Sequence, residues 1–268
     1  MQRLGIINYF GAVTNFVGKT LTIAELEARK LHHDFTELLT RAVQPALWLL
    51  IFGEVLAQVR AIPTGSLPYI DFLAPGILAQ SVLFIAIFYG IAIIWERDLG
   101  IVHKFLATPT PRSALVLGKA LSAGERGLAQ AVIVYALALA LGVGLRWNIL
   151  SLVGVVVVII LGSALFSTFS LIIACLVKTR ERFMGIGQIL TMPLFFASNA
   201  IYPLSIMPSW LRIVSQINPL TYEVDALRAL MLVNGPTVYG VYFDVLFLLI
   251  ATTINVEIAA KIYPRVVI

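Results

Sequence analysis

Six stretches of the chain stay apolar over roughly the 20 residues a helix needs to cross a bilayer core: 42–60, 72–95, 120–145, 149–177, 186–204 and 239–262. The fourth is the clearest, because no charge falls between Arg146 and Lys178. The first, third and sixth carry Glu54, the Glu125–Arg126 pair, Asp244 and Glu257. Ionisable groups at membrane depth are costly unless they face protein, water or one another, so these three helices are expected to pack inside the bundle.

Three more polar segments have periodicities of their own. Residues 22–41 begin with Thr22-x-x-Glu25, the spacing of a capping box, and place Leu31, Phe35, Leu38 and Leu39 at helical intervals. They predict an amphipathic helix lying along the membrane interface ahead of the first span. Residues 207–231, MPSWLRIVSQINPLTYEVDALRALM, predict two short amphipathic helices broken at Asn218-Pro219. Trp210, Ile213, Val214 and Ile217 share one face, and Val224, Leu227, Arg228 and Met231 share another. Too polar to span and too apolar to float in water, this pair is expected to dip into the outer leaflet.

The third segment is 96–119, ERDLGIVHKFLATPTPRSALVLGK. Glu96, Arg97 and Asp98 end the second span in water, Gly100 turns the chain, and Ile101, Val102, Phe105 and Leu106 surround His103 and Lys104. Pro109 and Pro111 then stop any helix, and Arg112 through Lys119 lead into the third span. A short helix with apolar side chains on show, held between two spans, can sit in a groove of a soluble partner and pass on that partner's movement. The plainer reading is a solvated loop whose charges only fix topology.

Composition agrees with the spans: 60% hydrophobic and 12% charged residues, against about half and a quarter in soluble domains, describe a membrane protein. The single Cys175 lies in an apolar run, which excludes a disulfide framework and suits a packed, inert thiol. Apolar stretches among residues 4–17 are broken by Asn8 and Asn15 and lack a small-residue cleavage site, so no signal peptide is expected. Counting Lys and Arg on alternate sides gives fourteen (residues 1–41, 96–119, 178–185 and the C-terminus) against four (Arg60, Arg146, Arg212 and Arg228). That bias places both termini and residues 96–119 in the cytoplasm, and it already explains the net charge of +5 without a nucleic-acid partner. Trp95, Trp147, Tyr202, Tyr239 and Tyr263 fall at span ends, where amphipathic rings meet head groups.

Catalytic chemistry is missing. VTNFVGKT (13–20) ends in Gly18-Lys19-Thr20, but Val13 stands where a phosphate-binding loop needs glycine. LGKALS (117–122) fails for the same reason, and no nucleophile elbow, zinc signature or paired cysteines appear. His32 and His33 point about 100° apart on a helix, with no second ligand pair to make a metal site. No catalytic residue, metal or cofactor is therefore assigned to this chain.

Two of these segments carry a family resemblance. Residues 96–119 resemble the segment E-R-E-x-G-T-x-E-x-L-x-x-T-P-x-S-R-x-x-x-x-x-G-K that follows the second span of ABC-2 type permeases. Residues 207–231 are similar to the L-P-x-W-L-x-x-x-x-x-x-N-P-L-T-Y-x-x-x-x-x-R motif between their last two spans. His103-Lys104 departs from the usual Glu-containing pair, and Thr110-Pro111-Arg112 from the common Val-Ser-Arg-like stretch. Within the family, the chain most resembles the daunorubicin-resistance-like drug and lipid exporters, with permeases for polysaccharides and nodulation factors as near relatives.

The resemblance implies one all-α transmembrane domain over 1–268: six spans per protomer, an N-terminal interfacial helix, a cytoplasmic coupling helix after the second span, and outer re-entrant helices between the fifth and sixth. It implies a permease subunit of an exporter in the cell membrane, dimeric with itself or a second permease. It also implies two copies of a separate ATPase, which bind the ATP and Mg. Glu96, Arg97, Gly100, Phe105, Leu106, Pro109 and Arg112 would couple to that ATPase, with Phe105 and Leu106 as apolar anchors. Pro208, Trp210, Asn218, Pro219, Tyr222 and Arg228 would form the outer gate. Gln44, Glu54, Ser198, Asn199, Asp244 and Glu257 are candidates for a polar path or for helix packing, and the path would take a hydrophobic or amphipathic drug, lipid or glycan. The alternative is a proton-coupled secondary transporter using Glu54, Asp244 and Glu257 as relays.

Overall fold

The computed structural model describes residues 16–26, 29, 35–59, 62–108, 110–177 and 179–267, and these fold almost entirely as helix. In chain order the helices are α1 (16–26), α2 (Phe35–Leu47), α3 (Glu54–Val59), α4 (Tyr69–Tyr89), α5 (Ile91–Asp98) and α6 (Ile101–Leu106). Then follow α7 (Arg112–Ala140), α8 (Ile149–Leu176), α9 (Arg180–Phe196), α10 (Ser209–Ile217), α11 (Pro219–Met231) and α12 (Val241–Ile262). A π-helical turn, Trp48–Gly53, joins α2 to α3, and 3₁₀ turns occupy Leu204–Ile206 and Tyr263–Val267. Residues 4–15, His32, His33 and Pro109 lie outside the described set.

Apolar on every side, α4 buries 17 of its 21 residues and takes the centre, as an all-round hydrophobic helix must. It packs against α7, α8, α9, α11 and the π turn, while α8 also touches α7, α11 and α12. At one end, Ile23 of α1 joins Ile93, Ile94, Val102, Leu115, Phe183 and Tyr263 in a separate apolar cluster. This end holds α1, α6, the start of α9 and the residues after α12. At the other end Leu145 and Leu232 form a β-bridge, Arg146 N–H bonds Met231 O at 2.8 Å, and Gly144 N–H reaches the Asp71 carboxylate at 3.2 Å. Those contacts gather the start of α4, the α7–α8 turn and the α11–α12 connection.

Among the described residues four helical stretches are long and apolar enough to cross a membrane: Ala42–Val59, Tyr69–Asp98, Ile149–Leu176 and Val241–Val266. The third expected span begins at Arg112 instead of 120, because the helix starts directly after Pro111 and no residue in 112–119 breaks it. It stops at Ala140, ahead of Gly142 at φ 75°. The fifth, expected over 186–204, runs from Arg180 to Phe196. Thr179 caps its start, and the Asn218 side-chain amide takes up Leu194 O at 2.6 Å and Ala197 O at 3.0 Å at its end.

Other expectations change too. Thr22 lies inside α1 instead of capping it, and its hydroxyl bonds Gly18 O, so the chain is already helical at residue 16, ahead of the start expected at 22. The same helix carries Gly18-Lys19-Thr20, which is not the loop a phosphate site needs. The first and sixth spans are peripheral: Val43, Leu47, Ile51, Val55, Tyr242, Leu246 and Ile250 are exposed. Tyr263 is wholly buried instead of meeting head groups, whereas Trp95 and Trp147 are exposed.

Candidate functional site

The elbow between α5 and α7 is built on a buried ion pair. α5 ends at Asp98 with Leu99 as its cap residue, Gly100 takes φ 70°, a left-handed geometry that glycine adopts without steric cost, and the six residues of α6 run back against the bundle. Beneath them the Lys119 ammonium of α7 meets the Glu96 carboxylate of α5 at 2.6 Å, with the two side chains 3% and 6% exposed. The Phe105 ring lies 5.9 Å from the same ammonium. Glu96 thus ends its helix in the interior instead of in water. Lys119, which the charge pattern placed at the water edge of the third span, is the residue that holds it.

A second set of contacts ties the elbow to α8 and α9. Asp98 pairs with Arg180 at 2.8 Å and with Arg97 at 3.1 Å, Arg97 donates to Val177 O, and the Arg180 guanidinium stacks 3.4 Å over the Trp95 ring. Val102 is buried in the end cluster, and Phe105 and Leu106 are half-buried against it. The two expected anchors therefore face inward. Leu99 at 68% exposure, His103, Lys104, Ala107, Thr108 and Arg112 are among the residues the elbow shows outside. The charged contacts belong to α5 and join it to α7, α9 and the end of α8, while α6 packs through its apolar side chains.

At the opposite end the outer segment folds as α10 and α11, divided at Asn218 as expected. Pro208 opens α10, whose Trp210, Ile213 and Ile217 are exposed. Asn218 caps α11 through Leu220 N–H at 3.0 Å, and Pro219 occupies the first turn, where its missing N–H costs nothing. α11 is buried nearly all round, against the one-sided pattern expected of it. The Tyr222 hydroxyl donates to Gln216 O at 2.6 Å and its ring stacks on Phe247. Arg228 donates to Asn199 O at 2.8 Å and lies 3.8 Å over the Phe72 ring. Burial pulls its guanidinium down to about 10, opposed by nearby Asp225. One oxygen of Asp225 accepts from Thr237 Oγ1 and from the N–H groups of Val238 and Tyr239.

The six polar candidates are not gathered into one site. Ser198 is buried and caps Phe195 O, while Asn199 is buried with its amide unbonded. Asp244 is buried in the first turn of α12 beside Asp225. Glu257 is exposed 13 residues along the same helix, about 20 Å away at 1.5 Å per residue. Glu54 is half-buried on α3, and Gln44 is exposed at the mouth of a cavity. The sequence reading passed over Glu223, which is 0% exposed with neither oxygen hydrogen-bonded and with its carboxyl against Gly162 of α8. Burial pushes that carboxyl well above the ordinary glutamate range. Among the described residues no group of His, Cys, Asp and Glu could hold a metal.

Residues 19–232 match the ABC-2 type transporter family, and the match takes in both the elbow and the outer helices. The chain belongs to the ABC-2 type transporter family. It is 30% identical over 197 residues to the putative transport permease ycf38 of Cyanophora paradoxa, covering 72% of this chain and 67% of that one. It is 25% identical over 215 residues to the daunorubicin resistance ABC transporter permease protein DrrB1 of Streptomyces coeruleorubidus, covering 80% and 75%. It is 24% identical over 218 residues to the inner membrane transport permease YadH of Escherichia coli (strain K12), covering 78% and 82%. The match spans about two thirds of the ycf38 relatives' length. This ABC-2 chain is thus a multi-pass membrane permease subunit of an ABC transporter, a transport protein and not itself an enzyme, and its family implies an ABC ATPase partner.

Proposed function

We propose that this ABC-2 permease is the membrane half of an ATP-driven exporter, working as a dimer against two copies of an ATPase that binds ATP and Mg. In this reading α7 and α9 complete six spans per protomer, and α6 and both termini face the cytoplasm. The path takes a hydrophobic or amphipathic cargo, and α10–α11 gate its outer end. The exposed apolar faces of α2, α3 and α9 supply surface for lipid and for the second permease.

One observation carries the proposal. The elbow is tied to α7 by the buried Glu96–Lys119 pair and to α9 by the Asp98–Arg180 pair at the surface, while Leu99, His103 and Lys104 stay exposed for a partner. Leu99→Asp is the matching test, because Leu99 is 68% exposed and its loss disturbs no interior contact. The variant should insert and melt like the wild type. With its ATPase it should lose about tenfold or more of transport while ATP hydrolysis continues, the scale of losing one apolar anchor. Transport at the wild-type level would remove the elbow from this role. Phe105→Asp answers less cleanly, since Phe105 packs against its own chain.

A further inference from the structure

Between α2, α4 and α7 lies a cavity of about 350 Å³ that neither the elbow nor the outer gate uses. Gln44, Gln80 and Gln130, one from each helix, converge on it together with Ser81. Gln130 is 0% exposed and neither its amide oxygen nor its amide nitrogen has a hydrogen-bond partner, and Gln80, 3% exposed, leaves its amide nitrogen unbonded. Buried amides without partners are costly, so a ligand that bonds them recovers what the closed cavity loses. The Ser81 hydroxyl donates to Ile77 O at 2.7 Å and keeps its lone pairs for a donor on the ligand.

Two further features set the ligand's chemistry. Among the described residues no ionisable side chain lines the cavity, so a charged head group would find nothing of opposite sign in them. Phe84 and Phe88 also line it, their ring centroids 6.2 Å apart, and they offer an apolar wall for a flat ring face or an alkyl tail. Measured along α4 and α5 at about 1.5 Å per residue, Phe88 lies about 15 Å and Gln80 about 27 Å from Asp98. The cavity is therefore at membrane depth, around the middle of the α4–α5 stretch Tyr69–Asp98. Its volume falls at the small end of small-molecule sites, roughly 300–1,000 Å³, which is room for one sugar-sized group.

We infer that this cavity binds the uncharged, polyhydroxylated head of an amphiphile, a single sugar ring or its like, with the tail along Phe84 and Phe88. The inference rests on the permease reading for its meaning, as a cargo subsite, but not for its test. The full chain in nanodiscs is labelled with a decyl glucoside carrying a photoactivatable diazirine in its tail. Labelling of the peptide holding Phe84 and Phe88 should saturate. Octyl glucoside should compete, and octyl sulfate and octyltrimethylammonium should do so about tenfold more weakly or worse. Gln130→Leu should weaken labelling about tenfold without lowering the melting temperature, because it deletes an amide that has no partner. Gln44→Leu, exposed at the mouth and harmless to the fold, should weaken it as well. Equal competition by the charged amphiphiles, unsaturable labelling, or labelling unchanged by both variants would overturn the site. Labelling as expected, combined with no ATP-dependent transport by the permease–ATPase complex, would sink the exporter reading and leave the site standing.

Discussion

Glu96→Leu, Lys119→Met and the two together make a double-mutant cycle that tests whether the elbow is locked from within. Both side chains are more than nine-tenths buried, so water does not screen the pair. Removing either partner takes this ion pair away from a buried charge, at about 3–5 kcal/mol, whereas replacing both with apolar side chains of similar size is close to neutral. The Phe105 ring near the Lys119 ammonium adds ~0.5–1 kcal/mol to the loss in Lys119→Met. At about 2.1 cal/mol/K per residue, unfolding 268 residues carries about 0.56 kcal/mol/K, so each single variant should melt about 5–9 °C below the wild type. The double variant should recover to within about 2 °C. Tryptophan fluorescence of the chain in nanodiscs follows the transition. Additive losses, with the double variant about 10–18 °C down, would mean that the two residues do not act as a pair and would refute the argument.

Two other perturbations act at the outer end. Asn218→Ala removes the cap of α11 and both side-chain bonds that finish α9, which at about 1 kcal/mol for each role lowers stability by about 2–3 kcal/mol; Asn218→Ser keeps the cap alone and should return about 1 kcal/mol by the same melting assay. Glu223 gives a pH dependence. Its native carboxyl holds a proton well above the ordinary value of 4.5, so above that pH the folded chain binds more protons than the unfolded one, and stability falls as pH rises. Melting between about pH 5 and about pH 9 should show a downward slope that Glu223→Gln flattens, since an amide cannot titrate; equal slopes in the two proteins would contradict the assignment.

The helices of the bundle were legible because apolar runs and charges at their edges are local signals. What was misread depends on partners remote in sequence. Lys119 looks like a water-edge charge until Glu96, 23 residues earlier, is found against it. The end of α9 is set by Asn218, which lies 24 residues beyond Leu194. Thr22-x-x-Glu25 has the spacing of a cap but sits within a longer helix, and nothing in four residues tells the two apart. The elbow's position was readable from its charges, Gly100 and prolines. A six-residue helix, however, shows side chains on all sides, and only the packing of the end cluster turns Phe105 inward and leaves Leu99 out. Gln80, Gln130 and Glu223 were visible only as isolated polar letters among apolar ones. Their meaning lies in which helices meet, and periodicity does not report that.

In the proposed mechanism, a push at the elbow would reach the proposed outer gate through the joint at Gly90. A Cβ there would fall on the Ser170 hydroxyl of α8 and the Phe183 ring of α9, and the Ser170 hydroxyl in turn bonds Ile87 O. The α4–α5 joint is therefore seated on two other helices. α5 is held further along by Lys119 of α7 and by Arg180 of α9. A displaced α6 thus moves α5 together with the neighbouring ends of α7, α8 and α9. Close-packed interiors compress little, and α4 is buried on every side, so the displacement is not absorbed along its length. It emerges at the first turn of α4, where the Phe72 ring carries the Arg228 guanidinium of α11 and Asp71 holds Gly144. Arg228 also grips Asn199 O, beyond the end of α9. α11 must then either travel with α4 or break from Asn199, and Arg228, which touches both, is the contact that decides between them.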